Sequence, residues 1–516
     1  MEEIRKSAKE RAMAKSKIEL DKDIDIAIAM AKKCGLFDLL FFIYHLHWVR
    51  LLDQFPNAQQ EKKEMVMIYS NMVEESLKYI ISLVVKFGHL RLPERESKKA
   101  GLINLELAQT LIKVGNYINS KYEAAPMVQL FDVEVSGERD QYLKIDMSNI
   151  NSNPEAKNLF NYFLRIDEDN NIKKNSKRDK STLIQAFKDE YSGCADLFEK
   201  EMGISVDEYA WLNEQLLDII SAQIEANRHQ YVTLDNGNID VLHERTFVNF
   251  SRAFLHDKDE LFNDFDSKFH PTLNRLTFNP AAYNEHELRF HHITRQPLFI
   301  RENVVIISPE LIIDSIFTNT HYSLIESGDI KHDYIARQAS QFLDKIARIG
   351  SAHGYIEIER ERDLYDGKNC IGDIDIVLKN DSGHFLLIEA KNHALPMDIY
   401  FKDVKKTKDH LQYLKNEWEK KVLRRIEHLK KHHHDYSMPK NYNYIVVSRF
   451  PEVISHFSDM LILSIQEFET WLSNSMSPNS FDEFYKKYYE EPASELTQQD
   501  LETMQDDYLI FGRFGN

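Results

Sequence analysis

The stretch from Gly372 to Lys391 constrains this chain more than any other. It reads Gly372-Asp373-Ile374-Asp375-Ile376-Val377-Leu378, then Lys379 to Gly383, then His384-Phe385-Leu386-Leu387-Ile388-Glu389-Ala390-Lys391. Two apolar, β-branched runs separated by Lys379-Asn380-Asp381-Ser382-Gly383 predict an antiparallel hairpin. A turn centred on Asp381 sets Leu378 opposite His384, Asp375 opposite Leu387, Asp373 opposite Glu389 and Ile371 opposite Lys391. Because side chains alternate faces along a strand, Asp373, Asp375, Glu389 and Lys391 are expected on one side of the ribbon.

That placement has a chemical consequence. Directly opposed Cβ atoms lie about 5 Å apart and diagonal ones about 7–8 Å, so the three carboxylates can converge on one point. Like charges so close raise at least one pKa unless a cation sits between them. A hard divalent ion, Mg²⁺ with Mn²⁺ as a substitute, resolves the conflict. Its expected ligands are Asp375, Glu389 and the Ala390 backbone carbonyl, with Asp373 as a supporting acid. A water polarised there and held by the Lys391 ammonium is the expected nucleophile toward a phosphodiester.

The flanking pattern predicts an α/β domain. A helix over Asp333–Ile349 is followed by strands over Tyr355–Arg362, Asp373–Leu378 and Phe385–Lys391. A long helix over Lys402–Lys431, a strand over Tyr444–Ser448, an apolar run over Met460–Ser464 and a helix over Gln466–Leu472 complete it. This α-β-β-β-α-β order, with its D…ExK hairpin, resembles the PD-(D/E)xK nuclease superfamily, the restriction-endonuclease-like fold, over about residues 333–465. The resemblance implies a mixed sheet, Asp375 and Glu389 as metal ligands, and Lys391 as the residue that orients or activates water. Asp373 stands where the family's GEID form carries an acid. The preceding helix offers Gln338, Gln341 and Asp344 where many members have glutamate, which puts a second metal in doubt. The same family habit suggests a prokaryotic defence or restriction role.

Charge fits a nucleic-acid partner only locally. The chain carries a formal net charge of −18, which opposes nonspecific coating of DNA. Residues 401–450, however, hold 13 Lys and Arg against 6 Asp and Glu, a net +7. From the helix within that segment, Lys405, Lys406, Lys408, Arg424 and Arg425 are candidates for phosphate contacts and Tyr413 and Trp418 for base stacking. Gln412 resembles a helix glutamine of some family members. The alternative is a solvated helix braced by pairs such as Glu417 with Lys421. Three successive histidines, His432 to His434, are read as a cation-favouring helix end rather than a metal site.

The remainder reads as helical. Met65, Ile68, Met72, Leu77, Ile80, Leu83, Val84 and Phe87 recur at helical spacing. Leu102–Lys121, Leu183–His229 and Phe247–Phe262 follow suit, and residues 297–307 predict two short strands about Arg301-Glu302-Asn303. The stretch around Pro126 and Pro154 is expected to be a connection or small β insertion, and residues 167–182 an exposed loop whose Lys173, Lys174, Lys177, Arg178 and Lys180 face solvent. With 516 residues, about three domains are expected. The expected division is a helical domain over 1–125, a mostly helical middle region with a short β element over 126–330, a nuclease-like domain over 331–475, and an acidic tail over 476–516.

Three scattered cysteines, Cys34, Cys194 and Cys370, support neither a disulfide framework nor a zinc knuckle and suit a reducing cytoplasm. The charged start lacks the apolar core of a secretory signal. Cys34–Leu52 is apolar but interrupted by Asp38, His45, His47 and Arg50, so it is expected to be a buried soluble helix rather than a membrane span. The reading is a cytoplasmic, Mg²⁺-dependent nuclease acting on DNA in preference to RNA, with no membrane partner. The N-terminal helices would serve self-association or a partner protein. The rival is a catalytically inactive nuclease-fold scaffold working through those helices.

Overall fold

The computed structural model describes residues 2–52, 60–90, 103–136, 142–146, 150–176, 180–235, 238–241 and 243–489. The chain divides into two compact units. One comprises residues 13–125 and 177–334, and the other is built from residues 126–176 and 335–497, with short terminal segments assigned to each. The segment 126–176 therefore folds with the C-terminal domain, a division the linear reading does not anticipate.

The first unit is mainly helical. Its core gathers Leu39, Leu40 and Phe42 from the helix Leu36–Leu52, Leu77, Ile80 and Leu83 from the helix Gln60–Phe87, and Phe187, Tyr209, Leu216 and Leu311 from later helices. The side chains of Met65 and Ile68 lie outside the described residues. Asp38 and Arg50, which break up the apolar run, find partners within the fold. Asp38 accepts from the Gly35 and Asn104 backbone N–H groups at 2.8 and 3.1 Å. Arg50 pairs with Glu74 at 2.7 Å and Asp314 at 2.6 Å, and Lys78 reaches the same two carboxylates at 2.7 and 3.3 Å. Buried charges persist when opposite partners surround them. Among the described residues no helix is long and apolar enough to cross a membrane.

Two short strands appear at the expected place, Leu298–Arg301 and Val304–Ile307, with Glu302 at φ 51° in the turn. A third strand, Leu255–Asp257, pairs with Val304–Ile307 inside what was expected to be one helix over Phe247–Phe262. That helix ends at Ser251, and Asp257 caps a new one by accepting from Asp259 and Glu260 N–H. A local cap and a strand partner thus outweigh helical periodicity.

In the second unit, Pro126 lies inside the helix Leu105–Leu130 rather than in a connection. The expected β insertion is the hairpin Asp132–Ser136 with Tyr142–Asp146. Residues 167–176, expected to be loop, continue the helix Pro154–Ser176. Pro154 opens that helix at a position where its missing N–H costs nothing. The side chains of Lys173 and Lys174, and residues Lys177 and Arg178, lie outside the described residues. This helix belongs with the C-terminal domain because Leu159, Phe163 and Ile166 pack with Val446, Ile454 and Ile462, and one buried cation adds a directional tie. Arg165, 0% exposed, donates from Nε and Nη2 to Glu467 at 3.0 and 2.8 Å, and its guanidinium lies 4.3 Å from the Phe481 ring centroid.

The sheet of this unit has five strands. We label them β1 (Tyr355–Asp366), β2 (Asn369–Asn380), β3 (Phe385–Lys391), β4 (Tyr442–Ser448) and β5 (Ile462–Ser464), in the spatial order β5-β4-β3-β2-β1. β1, β2 and β3 run antiparallel in turn, while β3–β4 and β4–β5 are parallel, so the sheet is mixed. Ile376, Leu386, Ile388, Ile445 and Val447 pack on one face with Leu343 and Ile346 of the helix Lys331–Ala352 and with Phe468 and Trp471. The opposite face packs Val377, Phe385 and Leu387 against Leu429. The expected long helix over Lys402–Lys431 is interrupted. It comprises Val404–Tyr413, a π-helical segment Leu414–Glu419, and Lys420–His432. Of the expected acidic tail, Phe481–Tyr488 forms a helix capped by Ser480, and residues from 490 onward lie outside the described set.

Candidate metal and hydrolase site

The β2–β3 hairpin forms, with its register moved by two residues. Ile376 pairs with Ile388, Val377 with Leu387, Leu378 with Leu386 and Lys379 with Phe385. The turn decides this. Asn380 N–H bonds the His384 carbonyl at 3.1 Å, its side chain accepts from His384 N–H at 2.9 Å, and Gly383 takes φ +81°. A slip of one residue would have reversed every side chain, whereas a slip of two leaves each on its expected face. That face points toward the helix Lys420–His432.

The four residues come together there. Lys391 Nζ lies 2.7 Å from Glu389 Oε1 and 5.3 Å from the centre of the Trp418 ring, which the π-helical segment supplies. Such one-turn widenings of a helix are frequent at functional sites. Asp375 accepts from the Ala390 N–H at 2.6 Å. Burial foremost, and next the neighbouring Glu389 carboxylate, push the Asp375 carboxyl up to about 6. Asp373 is the outermost member, with its side chain 42% exposed.

Arg425 departs from expectation. Its place in a basic helix predicts a phosphate contact, yet it is 7% exposed and faces the acids. Its Nη2 and Nη1 meet Glu389 Oε1 and Oε2 at 3.0 and 2.9 Å, a two-pronged pair. Nη1 also donates to the Asp373 carbonyl. Gly372, at φ +118°, makes room: a Cβ there would stand 3.1 Å from Arg425 Cδ. The helix itself contains the missed signal. Val422, Arg425 and Leu429 form its buried stripe, so this arginine occupies a core position.

The other basic candidates do lie outward. Lys405, Lys406, Lys408, Gln412 and Arg424 are exposed, although Lys408 is 2.8 Å from Glu155. The helix before β1 brings no carboxylate to the site. Gln338 donates to Gln341 at 2.9 Å and accepts from Arg449 at 3.2 Å, while Asp344 pairs with Arg360 at 2.7 Å. His432 and His433 point to separate partners, Asp435 and the Met438 carbonyl.

The donor set suits a hard divalent ion. Glu389 is neutralised by Arg425 and Lys391, whereas Asp375 has a carboxyl raised first by burial and second by Glu389, and a bound cation would favour its ionised form. Together the residues offer carboxylate oxygens, a cationic amine and a partly exposed mouth. No protein-family model, curated protein or solved structure matches the chain.

Proposed function

We propose that the protein is a metal-dependent nuclease hydrolysing phosphodiester bonds, with DNA as its substrate, and that its C-terminal unit is a restriction-endonuclease-like domain. The observation that carries this reading is the gathering of Asp375, Glu389 and Lys391 at one end of a hairpin, with Asp375 pushed up to about 6. The five-stranded mixed sheet, with a helix before it and another between β3 and β4, supports the domain assignment.

Asp375 and Glu389, with the Ala390 carbonyl, would hold Mg²⁺ or Mn²⁺, which when bound supplies electrophilic charge at the scissile phosphate. Lys391 positions the attacking water, and its ammonium is anchored by Glu389 and the Trp418 face. Arg425 fixes the Glu389 carboxylate so that the acid cannot turn away. Asp373 remains at the mouth as a supporting acid. Lys405, Lys406 and Arg424 are the exposed cations available to a polyanion.

A second reading rests on Arg425. A guanidinium bound to both oxygens of Glu389 supplies from within the chain part of the charge a metal would bring, which suits an inactive scaffold. Incubating plasmid, linear DNA and RNA with Mg²⁺ or Mn²⁺, with and without EDTA, separates the two. The nuclease reading expects EDTA-sensitive cleavage that Lys391→Ala lowers by about 10²–10⁴-fold. Equal cleavage by both proteins would remove the assigned site, and no cleavage of any form would favour the scaffold.

A further inference from the structure

A different set of ligands lies beyond the end of β3. His393, His410 and Glu452 bring three ligand atoms within 4.8 Å of one another, and they are the one such group among the described residues. His393 Nε2 lies 2.6 Å from Glu452 Oε1, and His410 Nε2 lies 3.5 Å from Glu452 Oε2. The three come from separate elements: the segment after β3, the helix Val404–Tyr413, and the turn after β4.

We propose that His393, His410 and Glu452 form a second metal site, distinct from the carboxylate site, that takes a borderline divalent transition ion such as Zn²⁺. Two imidazoles and one carboxylate are a donor set zinc accepts with a fourth position left open. Mg²⁺ avoids such nitrogen ligands, so the two sites would select different ions.

Three observations carry this beyond an ordinary ion pair. Glu452 is 4% exposed, so its carboxylate is committed to the interior. His393 already occupies one carboxylate oxygen, Oε1. Yet a second imidazole is aimed at the other oxygen from 3.5 Å without hydrogen-bond geometry, and neither His410 Nε2 nor Glu452 Oε2 has a hydrogen bond to any other group within the described residues. Buried polar atoms are seldom left without a partner, and a shared ion would satisfy both. The Glu452 main chain is also pinned. Its carbonyl accepts from Arg165 Nη1 at 3.4 Å and from Ser455 Oγ at 2.8 Å, so the carboxylate is held before any ion arrives. The His393 side chain is 38% exposed, which provides an entry route.

The test uses the full-length protein with Co²⁺ as the spectroscopic probe and Zn²⁺ measured by elemental analysis after dialysis. Wild type should retain one Zn²⁺ per chain and show the visible absorption of low-coordinate Co²⁺. Removing a ligand should cost more than the roughly 10–100-fold that follows loss of a ligand's supporting partner, so His393→Ala and His410→Gln should each weaken Co²⁺ binding by at least about 100-fold. Asp375→Asn should leave it unchanged, which separates failure of this site from failure of the nuclease reading. His393→Ala removes a partly exposed ring, and unfolding curves verify that each variant is folded. No Co²⁺ absorption in wild type, or equal binding by a folded His393→Ala protein, would overturn the proposal.

Discussion

Replacing Asp375 by Asn should stabilise the metal-free protein, an unusual result for a change at a candidate catalytic acid. Burial and the Glu389 carboxylate raise the Asp375 carboxyl from 3.8 to about 6. Ionised Asp375 therefore costs the folded state free energy that the unfolded chain does not incur. At about 1.36 kcal/mol per tenfold change in proton affinity, the rise corresponds to roughly 3 kcal/mol. The side chain keeps some contact with water, so we expect about 1–2 kcal/mol. The amide oxygen of Asn can still accept from the Ala390 N–H. The sign follows from proton linkage: between pH 3.8 and about 6 the folded state binds more protons than the unfolded state, so stability falls as pH rises through that window. The advantage of Asp375→Asn should accordingly be largest near pH 7.5 and vanish near pH 4. Urea unfolding in EDTA at both pH values measures it. Added Mg²⁺ should stabilise wild type but not the variant, by mass action. A variant less stable than wild type at pH 7.5 in EDTA, or a gain of equal size at pH 4, would refute the reasoning.

The other site residues should behave differently. Glu389→Gln leaves Arg425 buried without its counter-charge and should destabilise by about 3 kcal/mol or more, seen as a lower urea midpoint in EDTA. Gly372→Ala forces a left-handed backbone on a residue with a Cβ and crowds Arg425, so a loss of about 1–3 kcal/mol is expected by thermal unfolding. Arg165→Ala removes a fully buried cation from Glu467 and should cost about 3–5 kcal/mol; in the double variant with Glu467→Gln the losses should fall well short of additive in a double-mutant cycle.

Much of the sheet was legible because its signals are local. The apolar alternation around Ile374–Leu378 and Phe385–Ile388 and the Asn380–Gly383 turn specify a hairpin wherever they occur. Even an error of two residues in register did not disturb which side chains share a face. The third strand at Leu255–Asp257 was illegible because its pairing partner, Val304–Ile307, lies almost fifty residues away. For the same reason the helix Pro154–Ser176 could not be assigned to the C-terminal unit. The contacts that hold it there are all long-range: Leu159 and Phe163 pack with Val446 and Ile462, and Arg165 to Glu467 spans 302 positions.

The candidate site divides along the same line. Asp373, Asp375, Glu389 and Lys391 lie on two strands joined by one turn, so strand periodicity alone brought them to one face. Arg425, His410 and Glu452 arrive from the following helix and from the turn after β4, and only packing determines where those elements lie against the sheet. Sequence by itself determined which groups share the hairpin face, since a two-residue period admits no other arrangement. Tertiary structure decided the charge around them, because it turned a helix arginine inward onto Glu389 and set two imidazoles against Glu452.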